Sequence, residues 1–214
     1  MEIEKANIWV DAIDESHVNM AEFYYFENAF TDDEIKKIQE ESMKVPPEVA
    51  KTGQNDTTND GIRKSEIRWL HGNVAYTDGD NVYTGDDFVW LYKRLWTMIE
   101  EANRNLWNFN LSHGRDAIQH TIYKEGGGHY DWHMDVGHGM QRQRKVSLTV
   151  QLTDPEEYEG GELQLWRGQN SLNAPRGKGT VVLFPSYMMH RVTEVTKGTR
   201  ESLVLWVGGD HYRR

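Results

Sequence analysis

The sequence predicts an α+β chain that is mainly β, with helices in its first half and a jelly-roll-like sandwich or barrel of short strands in its second. Three observations carry this. Apolar residues recur at helical spacing in two segments before residue 110. From residue 117 onward, short runs rich in Val, Leu, Ile and aromatics alternate with turns marked by Gly and Pro, with no helical pattern between them. Several polar residues, among them His133, Asp135, His190 and Arg200, are embedded in or beside those runs, where a surface that partly faces a core bears them only at a cost.

The 214 residues are enough for one domain with a full core. We expect 1–214 to form that domain, with 1–115 as helical and loop support on the substrate side and 116–210 as the β core. The formal net charge of -10 argues against binding nucleic acid chiefly through its phosphates. With no cysteine, disulfides, thiol catalysis and Cys-ligated metal centres are excluded, so any metal must be held by His, Asp or Glu. Mean hydropathy is -0.77, and no segment approaches the roughly 20 apolar residues of a membrane span. The first 20 residues lack the basic-then-apolar pattern of a signal peptide. A cytoplasmic location without membrane contact is the expectation.

Taken in order, residues 23–26 (FYYF) predict a short strand. Thr31 with Glu34 three positions on is a capping box, and Phe30 can staple onto Ile35, so a helix runs to about Met43 before Pro46-Pro47 end it. Residues 46–61 are loop chemistry, too long for a simple connection and either a lid or unstructured. Residues 62–70 alternate as a strand. Phe88, Leu91, Leu95, Ile99, Ala102 and Leu106 predict a helix over about 86–106. Strands are then expected over 117–123, 145–152, 161–166, 179–184, 189–195 and 201–207, with turns at Gly126–Gly128, Asp154-Pro155, Gly160-Gly161 and Lys197-Gly198.

The chemistry centres on residues 119–136. His133 and Asp135 stand two apart on an extended chain, so their side chains project to the same side. They can give two ligands to one metal, and His190 can give a third. Two histidines and a carboxylate on one face of an ion leave open positions, the pattern of non-haem iron oxygenases. His129 stands four before His133, as in zinc peptidases, but the Gly126–Gly128 turn opposes the helix that motif needs and its Glu is missing. His129 and His138 therefore read as bystanders. Residues 141–145 (QRQRK) read as a solvated loop, and Trp166 and Trp206 as core aromatics more than substrate contacts.

Further features surround these residues. Tyr123 precedes His133 by ten positions, Gly160-Gly161 leads into a strand, Phe184-Pro185-Ser186 precedes His190, and Arg200 follows His190 by ten. In combination, about 119–208 resembles the 2-oxoglutarate- and Fe(II)-dependent oxygenases, in particular the prolyl-4-hydroxylase-like branch. The resemblance implies a double-stranded β-helix core with the N-terminal helices on one face. It implies Fe(II) held by His133, Asp135 and His190, and the distal carboxylate of 2-oxoglutarate bound by Arg200 with help from the Tyr123 hydroxyl. Tyr130 and Trp206 match positions that line the substrate side. Animal collagen hydroxylases usually place Lys where Arg200 stands, whereas oxygen-sensing and bacterial relatives place Arg. The implied reaction consumes O2 and 2-oxoglutarate, releases succinate and CO2, and hydroxylates an aliphatic C–H. A prolyl residue of a peptide or protein partner is the first substrate to consider, and ascorbate an accessory cofactor. Two readings stay open beside it: the same chemistry on a small metabolite, free amino acid or nucleobase, and a non-catalytic β-sandwich binding module.

Overall fold

The computed structural model describes residues 23–50, 58–71, 76–78, 81–83, 88–112 and 116–210. The expectations for residues 1–20, and for 51–57 of the 46–61 loop, lie outside the described residues; Glu48–Val49, expected as loop, form a short strand instead.

Local chemistry sets the helices. In α1 (Asp32–Ser42), the Thr31 hydroxyl accepts the Glu34 N–H, the Glu34 carboxylate accepts the Thr31 N–H, and three acidic residues occupy the first turn, where the helix dipole favours negative charge. Its apolar face, Ile35 and Ile38, is buried in one cluster with Phe30. Helix α2 (Val89–Ala102) buries Leu91, Leu95, Ile99 and Ala102, the predicted stripe. The pattern fails at Leu106, which is only half-buried. From Asn103 to Trp107 the chain widens into a π turn, and Asn108 then adopts a left-handed conformation (φ 50°). The Asn103 side chain closes this end by accepting the Phe109 N–H and donating to the Phe109 carbonyl.

The strands are β1 (Tyr24–Phe26), β2 (Glu48–Val49), β3 (Arg63–Lys64), β4 (Glu66–Leu70), β5 (Tyr76–Asp78), β6 (Asn81–Tyr83), β7 (Ile118–Lys124), β8 (Gly128–His133), β9 (Arg144–Gln151), β10 (Tyr158–Gly160), β11 (Leu163–Arg167), β12 (Asn170–Asn173), β13 (Val181–Pro185) and β14 (His190–Gly208). A major sheet runs β1-β13-β9-β14-β7-β4-β2, and β3-β8-β14-β11-β12, with β10 also on β14, forms the facing sheet; every pairing is antiparallel. Strands β5 and β6 form a separate hairpin. This is a double-stranded β-helix with helices on one face.

Strand alternation sorts the side chains of the major sheet. Val146, Leu148 and Val150 of β9 and Leu203, Leu205 and Val207 of β14 join the α1 and α2 stripes in one core. The opposite face turns toward the second sheet and is unusually polar: Gln119, Thr121, Ser147, Thr149, Gln151, Arg200 and Ser202 are all buried. A second, smaller apolar cluster with Leu163, Leu165, Phe184 and Val192 lies on that side.

Two expectations are corrected here. Residues 189–195 and 201–207 are not two strands around a turn at Lys197-Gly198. They are one 19-residue strand whose first part pairs with β8, β10 and β11 and whose second part pairs with β7 and β9. Gly198 (φ 73°) turns the corner between sheets, and a Cβ there would fall 2.2 Å from the Glu157 carbonyl oxygen. Residues 62–70 are likewise split at Ser65: β3 pairs with β8 and β4 pairs with β7.

One polar contact locks α1 to the sheet. His120, fully buried, lies 2.9 Å through Nε2 from a Glu201 carboxylate oxygen that also accepts from Gln39 of α1. Burial, the largest single influence, raises the Glu201 pKa, but the hydrogen bonds from His120 and Gln39 and the charges of His120 and Arg68 together outweigh it, and the pKa is lowered from the ordinary 4.5. A carboxyl with a depressed folded pKa contributes stability above its unfolded value and loses it as pH falls through the folded one. Glu201→Ala is expected to cost about 1–3 kcal/mol at neutral pH, a deficit that shrinks below pH 4.5; urea melts of both proteins across pH measure it.

Candidate active site

His133 is the last residue of β8 and His190 the first of β14, and the two face each other in register. Asp135 lies past the end of β8, in a bend, so strand alternation does not align it with His133 as the spacing suggested. Instead its backbone is drawn across to the other strands: the Asp135 N–H donates to the Ser186 carbonyl at 2.9 Å. Asp135 Oδ1 comes within 3.7 Å of His133 Nε2, and Oδ2 within 3.4 Å of His190 Nε2. Ligand atoms of all three residues lie within 4.8 Å of one another, a spacing one metal ion can bridge.

The neighbours prepare these groups for a cation. Both imidazoles approach backbone carbonyls through Nδ1, His133 that of Asp131 at 2.7 Å and His190 that of Met188 at 2.9 Å. A carbonyl only accepts, so Nδ1 carries the proton and each Nε2 lone pair is left for a metal. Burial, reinforced by the neighbouring His190, lowers the His133 pKa to about 3, which keeps the ring neutral. For Asp135 burial acts upward, but His190, His133 and the Ser147 hydrogen bond hold the carboxyl below its ordinary value, ionised. Ser147 donates to Asp135 Oδ2 at 2.6 Å and lies 2.9 Å from the Ser186 hydroxyl. Ser147→Ala is expected to lower metal affinity about 10–100-fold, the usual cost of losing such a support; titration of the apoprotein with Co(II), followed by its visible spectrum, would measure the loss.

Away from the cluster, the same cavity ends in a second polar site. Arg200, 2% exposed, stands opposite Tyr123 in the β14–β7 register, its guanidinium 5.5 Å from that ring. It donates to Gln151 Oε1 at 2.8 Å and Ser202 Oγ at 3.3 Å, and no carboxylate among the described residues forms a salt bridge with it. A buried guanidinium held by neutral acceptors is prepared for an incoming anion. The Gly160-Gly161 turn makes room for it: both residues have positive φ, and a Cβ on Gly161 would press to 3.0 Å from Arg200 Cδ.

His133, Asp135, His190, Tyr123, Tyr130, Arg200 and Trp206 thus all line one cavity between the sheets. The Tyr130 ring stacks on His133 with centroids 3.5 Å apart, and burial pushes its hydroxyl up to about 12. Trp206 is buried as expected yet lines the cavity too, with Nε1 lacking a hydrogen-bond partner among the described residues.

The superfamily's sequence profile, described as 2OG-Fe(II) oxygenase superfamily, matches residues 118–208. A PKHD-type hydroxylase of Synechococcus sp. is 31% identical over 156 residues, covering 67% of this chain and 68% of the relative. The chain belongs to the 2OG-Fe(II) oxygenase superfamily. A PKHD-type hydroxylase of Hyphomonas neptunium is 39% identical over 104 residues, and there the chain spans 45% of the relative's length. In fold, the chain superposes with a TM-score of 0.70 on a Trichoplax adhaerens prolyl hydroxylase solved with a hypoxia inducible factor peptide (18% identity, 91% of this chain and 86% of that one). A Pseudomonas putida prolyl-4-hydroxylase gives 0.65 at 17% identity, covering 90% and 96%.

Other expectations for this oxygenase fare differently. His129 belongs to β8 but bonds the Gly127 carbonyl and stays outside the ligand cluster, as read. Trp166 is not a core aromatic: it is 46% exposed and meets Trp132 edge-on at 5.3 Å. It lies on β11, which borders β12 at the margin of the second sheet, away from the helix-covered face. Residues 141–145 are not one solvated loop. Arg144 and Lys145 open β9; Arg144 pairs with Asp116 at 2.9 Å and covers the Trp206 ring at 4.1 Å, and Lys145 is buried. Sequence reasoning missed Ser147, Gln151 and Arg63. The first two had a signal, polar residues alternating with Val and Leu along 145–152; Arg63 had none beyond its place in a strand.

Proposed function

We propose that this chain is an Fe(II)- and 2-oxoglutarate-dependent hydroxylase acting on an aliphatic C–H of a prolyl residue in a peptide or protein. The observation that carries the reading is the pairing of two unfilled demands in one cavity. The His133, Asp135 and His190 ligand atoms suit one cation, and the buried Arg200 guanidinium forms no salt bridge with a carboxylate among the described residues. Fe(II) with 2-oxoglutarate satisfies both. When bound, they supply oxidative decarboxylation of 2-oxoglutarate by O2, giving succinate and CO2, coupled to hydroxylation of the substrate.

The chain's own residues bind, orient and shield. His133 and His190 present neutral Nε2 atoms and Asp135 an ionised oxygen, leaving the remaining coordination positions for co-substrate and O2. Arg200, oriented by Gln151 and Ser202, receives the distal carboxylate of 2-oxoglutarate, helped by Tyr123, whose ring lies 5.5 Å from the guanidinium. Leu163, Phe184 and Val192 line the cavity and exclude water from the reacting groups. Tyr130 and Trp206 take the substrate side. The prolyl assignment is supported by the hydroxylase and prolyl hydroxylase names of the relatives and fold neighbours.

Incubating the protein with Fe(II), 2-oxoglutarate, air and a panel of proline-containing peptides should give stoichiometric succinate and one added oxygen on proline, read by mass spectrometry. Succinate formation driven only by some other substrate class would replace the prolyl assignment. Absence of the visible charge-transfer band with Fe(II) and 2-oxoglutarate under anaerobic conditions, with no succinate in air, would leave only the non-catalytic module.

A further inference from the structure

A second arginine in the cavity lacks an acidic partner. Of the three buried arginines among the described residues, Arg68 is paired with Glu66 at 2.6 Å, Arg200 is the co-substrate residue proposed above, and Arg63 is neither. Arg63 is 8% exposed and lines the cavity. Its Nε donates to Ser65 Oγ at 2.9 Å and one terminal nitrogen to Gln119 Oε1 at 2.7 Å, both neutral acceptors. No salt bridge joins it to a carboxylate among the described residues. The guanidinium lies over the Tyr130 ring at 4.6 Å, and Tyr130 stacks in turn on the ligand-cluster residue His133.

Register sets the anchor of Arg63 at a different level of the cavity from Arg200. Tyr123 of β7 stands opposite Arg200, whereas Gln119, which holds Arg63, stands opposite Val204. Four residues of extended strand separate those levels, roughly 13 Å. Charge balance leads to the same view. Among the charged lining residues, Asp135 gives one negative charge and Arg63 and Arg200 one positive charge each. A ferrous ion and dianionic 2-oxoglutarate cancel one another, so the loaded cavity keeps one positive charge in excess. An uncompensated buried charge is costly unless something pairs with it, and the group still to enter is the substrate.

We propose that Arg63 receives a carboxylate of the substrate over the Tyr130 face, so that the prolyl residue hydroxylated carries or adjoins an anionic group. The inference rests on the hydroxylase reading and narrows its substrate to a proline at a chain terminus or beside an acidic side chain. The split of residues 62–70 at Ser65 is what delivers Arg63 to this position: β3 joins the second sheet beside β8 and leaves β4 in the first.

Non-turnover protein loaded with Zn(II) and saturating 2-oxoglutarate allows binding to be measured by calorimetry. One pair of probes is N-acetyl-L-proline against N-acetyl-L-prolinamide, which tests a terminal carboxylate. A second is a peptide with Glu beside its proline against the same peptide with Gln, which tests a side-chain carboxylate. In at least one pair the charged member is expected to bind about ten- to a hundredfold more tightly. Arg63→Gln should level that pair, and Arg63→Lys, which keeps the charge without the forked geometry, should retain part of the preference. The 2-oxoglutarate affinity should be unchanged in both variants. Equal affinity within both pairs, a preference that survives Arg63→Gln, or no binding by any of the four probes overturns the proposal. Failure of the unaltered protein to bind 2-oxoglutarate would instead overturn the hydroxylase reading on which it rests.

Discussion

Asp135→Ala is expected to abolish succinate formation and substrate oxidation together. Asp135 supplies the only carboxylate of the ligand cluster, and each of its oxygens faces a different histidine, at 3.7 Å and 3.4 Å. Without it two neutral imidazoles remain, and a divalent ion loses the one anionic ligand that offsets its charge. Loss of supporting groups around a metal costs about 10–100-fold in affinity or activity; loss of the ligand itself should exceed that. Fe(II) binding by equilibrium dialysis, measured beside turnover, separates the mechanisms. Retained binding with lost turnover would assign Asp135 a role other than ligation, and full activity would remove the cluster from the chemistry altogether.

Arg200→Ala should act on a different quantity. Its guanidinium is buried, fixed by Gln151 and Ser202, and outside the ligand cluster, so on the proposed reading it meets 2-oxoglutarate and not the metal. Truncating one member of a buried, hydrogen-bonded charge pair costs about 2–5 kcal/mol. The KM for 2-oxoglutarate should therefore rise at least about thirtyfold while metal affinity holds. Steady-state kinetics with varied 2-oxoglutarate test this, and an unchanged KM would remove Arg200 from the co-substrate site. Arg200→Lys keeps a positive charge but loses the fork that grips two carboxylate oxygens, and should fall between the two.

What could be read from the residues alone follows from the range of the forces involved. The Thr31–Glu34 capping box and the Leu91, Leu95, Ile99, Ala102 stripe were legible because a helix is closed by contacts three and four residues apart. The convergence of His133, Asp135 and His190, with Arg200 and Tyr123, on one cavity was legible because the site proposed for a metal and a dianion needs those residue types, and few others can do the work. The reason offered for the His133–Asp135 pairing was only half right. The strand ends at His133, and Asp135 reaches the cluster because the Ser186 carbonyl and the Ser147 hydroxyl capture it.

Tertiary structure decided everything that depends on which sheet a strand joins. Alternation along 62–70 and 189–207 marks extended chain but does not say where one sheet hands over to the other. The corner at Gly198 makes two apparent strands into one that carries His190 at one end of the cavity wall and Arg200 further along it. The break at Ser65 sends Arg63 to the cavity, whereas Arg68 stays on β4 and pairs with Glu66 of the same strand. Arg144, solvated in a local reading, is partly covered because Trp206 and Asp116 arrive from elsewhere in the chain, and Lys145 beside it is buried in β9. The sequence by itself determined the helices, the strand-rich second half and the kinds of group the site would use. The partners of those groups were decided by antiparallel pairings between residues far apart in the chain, whose energy is spread over many contacts and leaves no short-range mark.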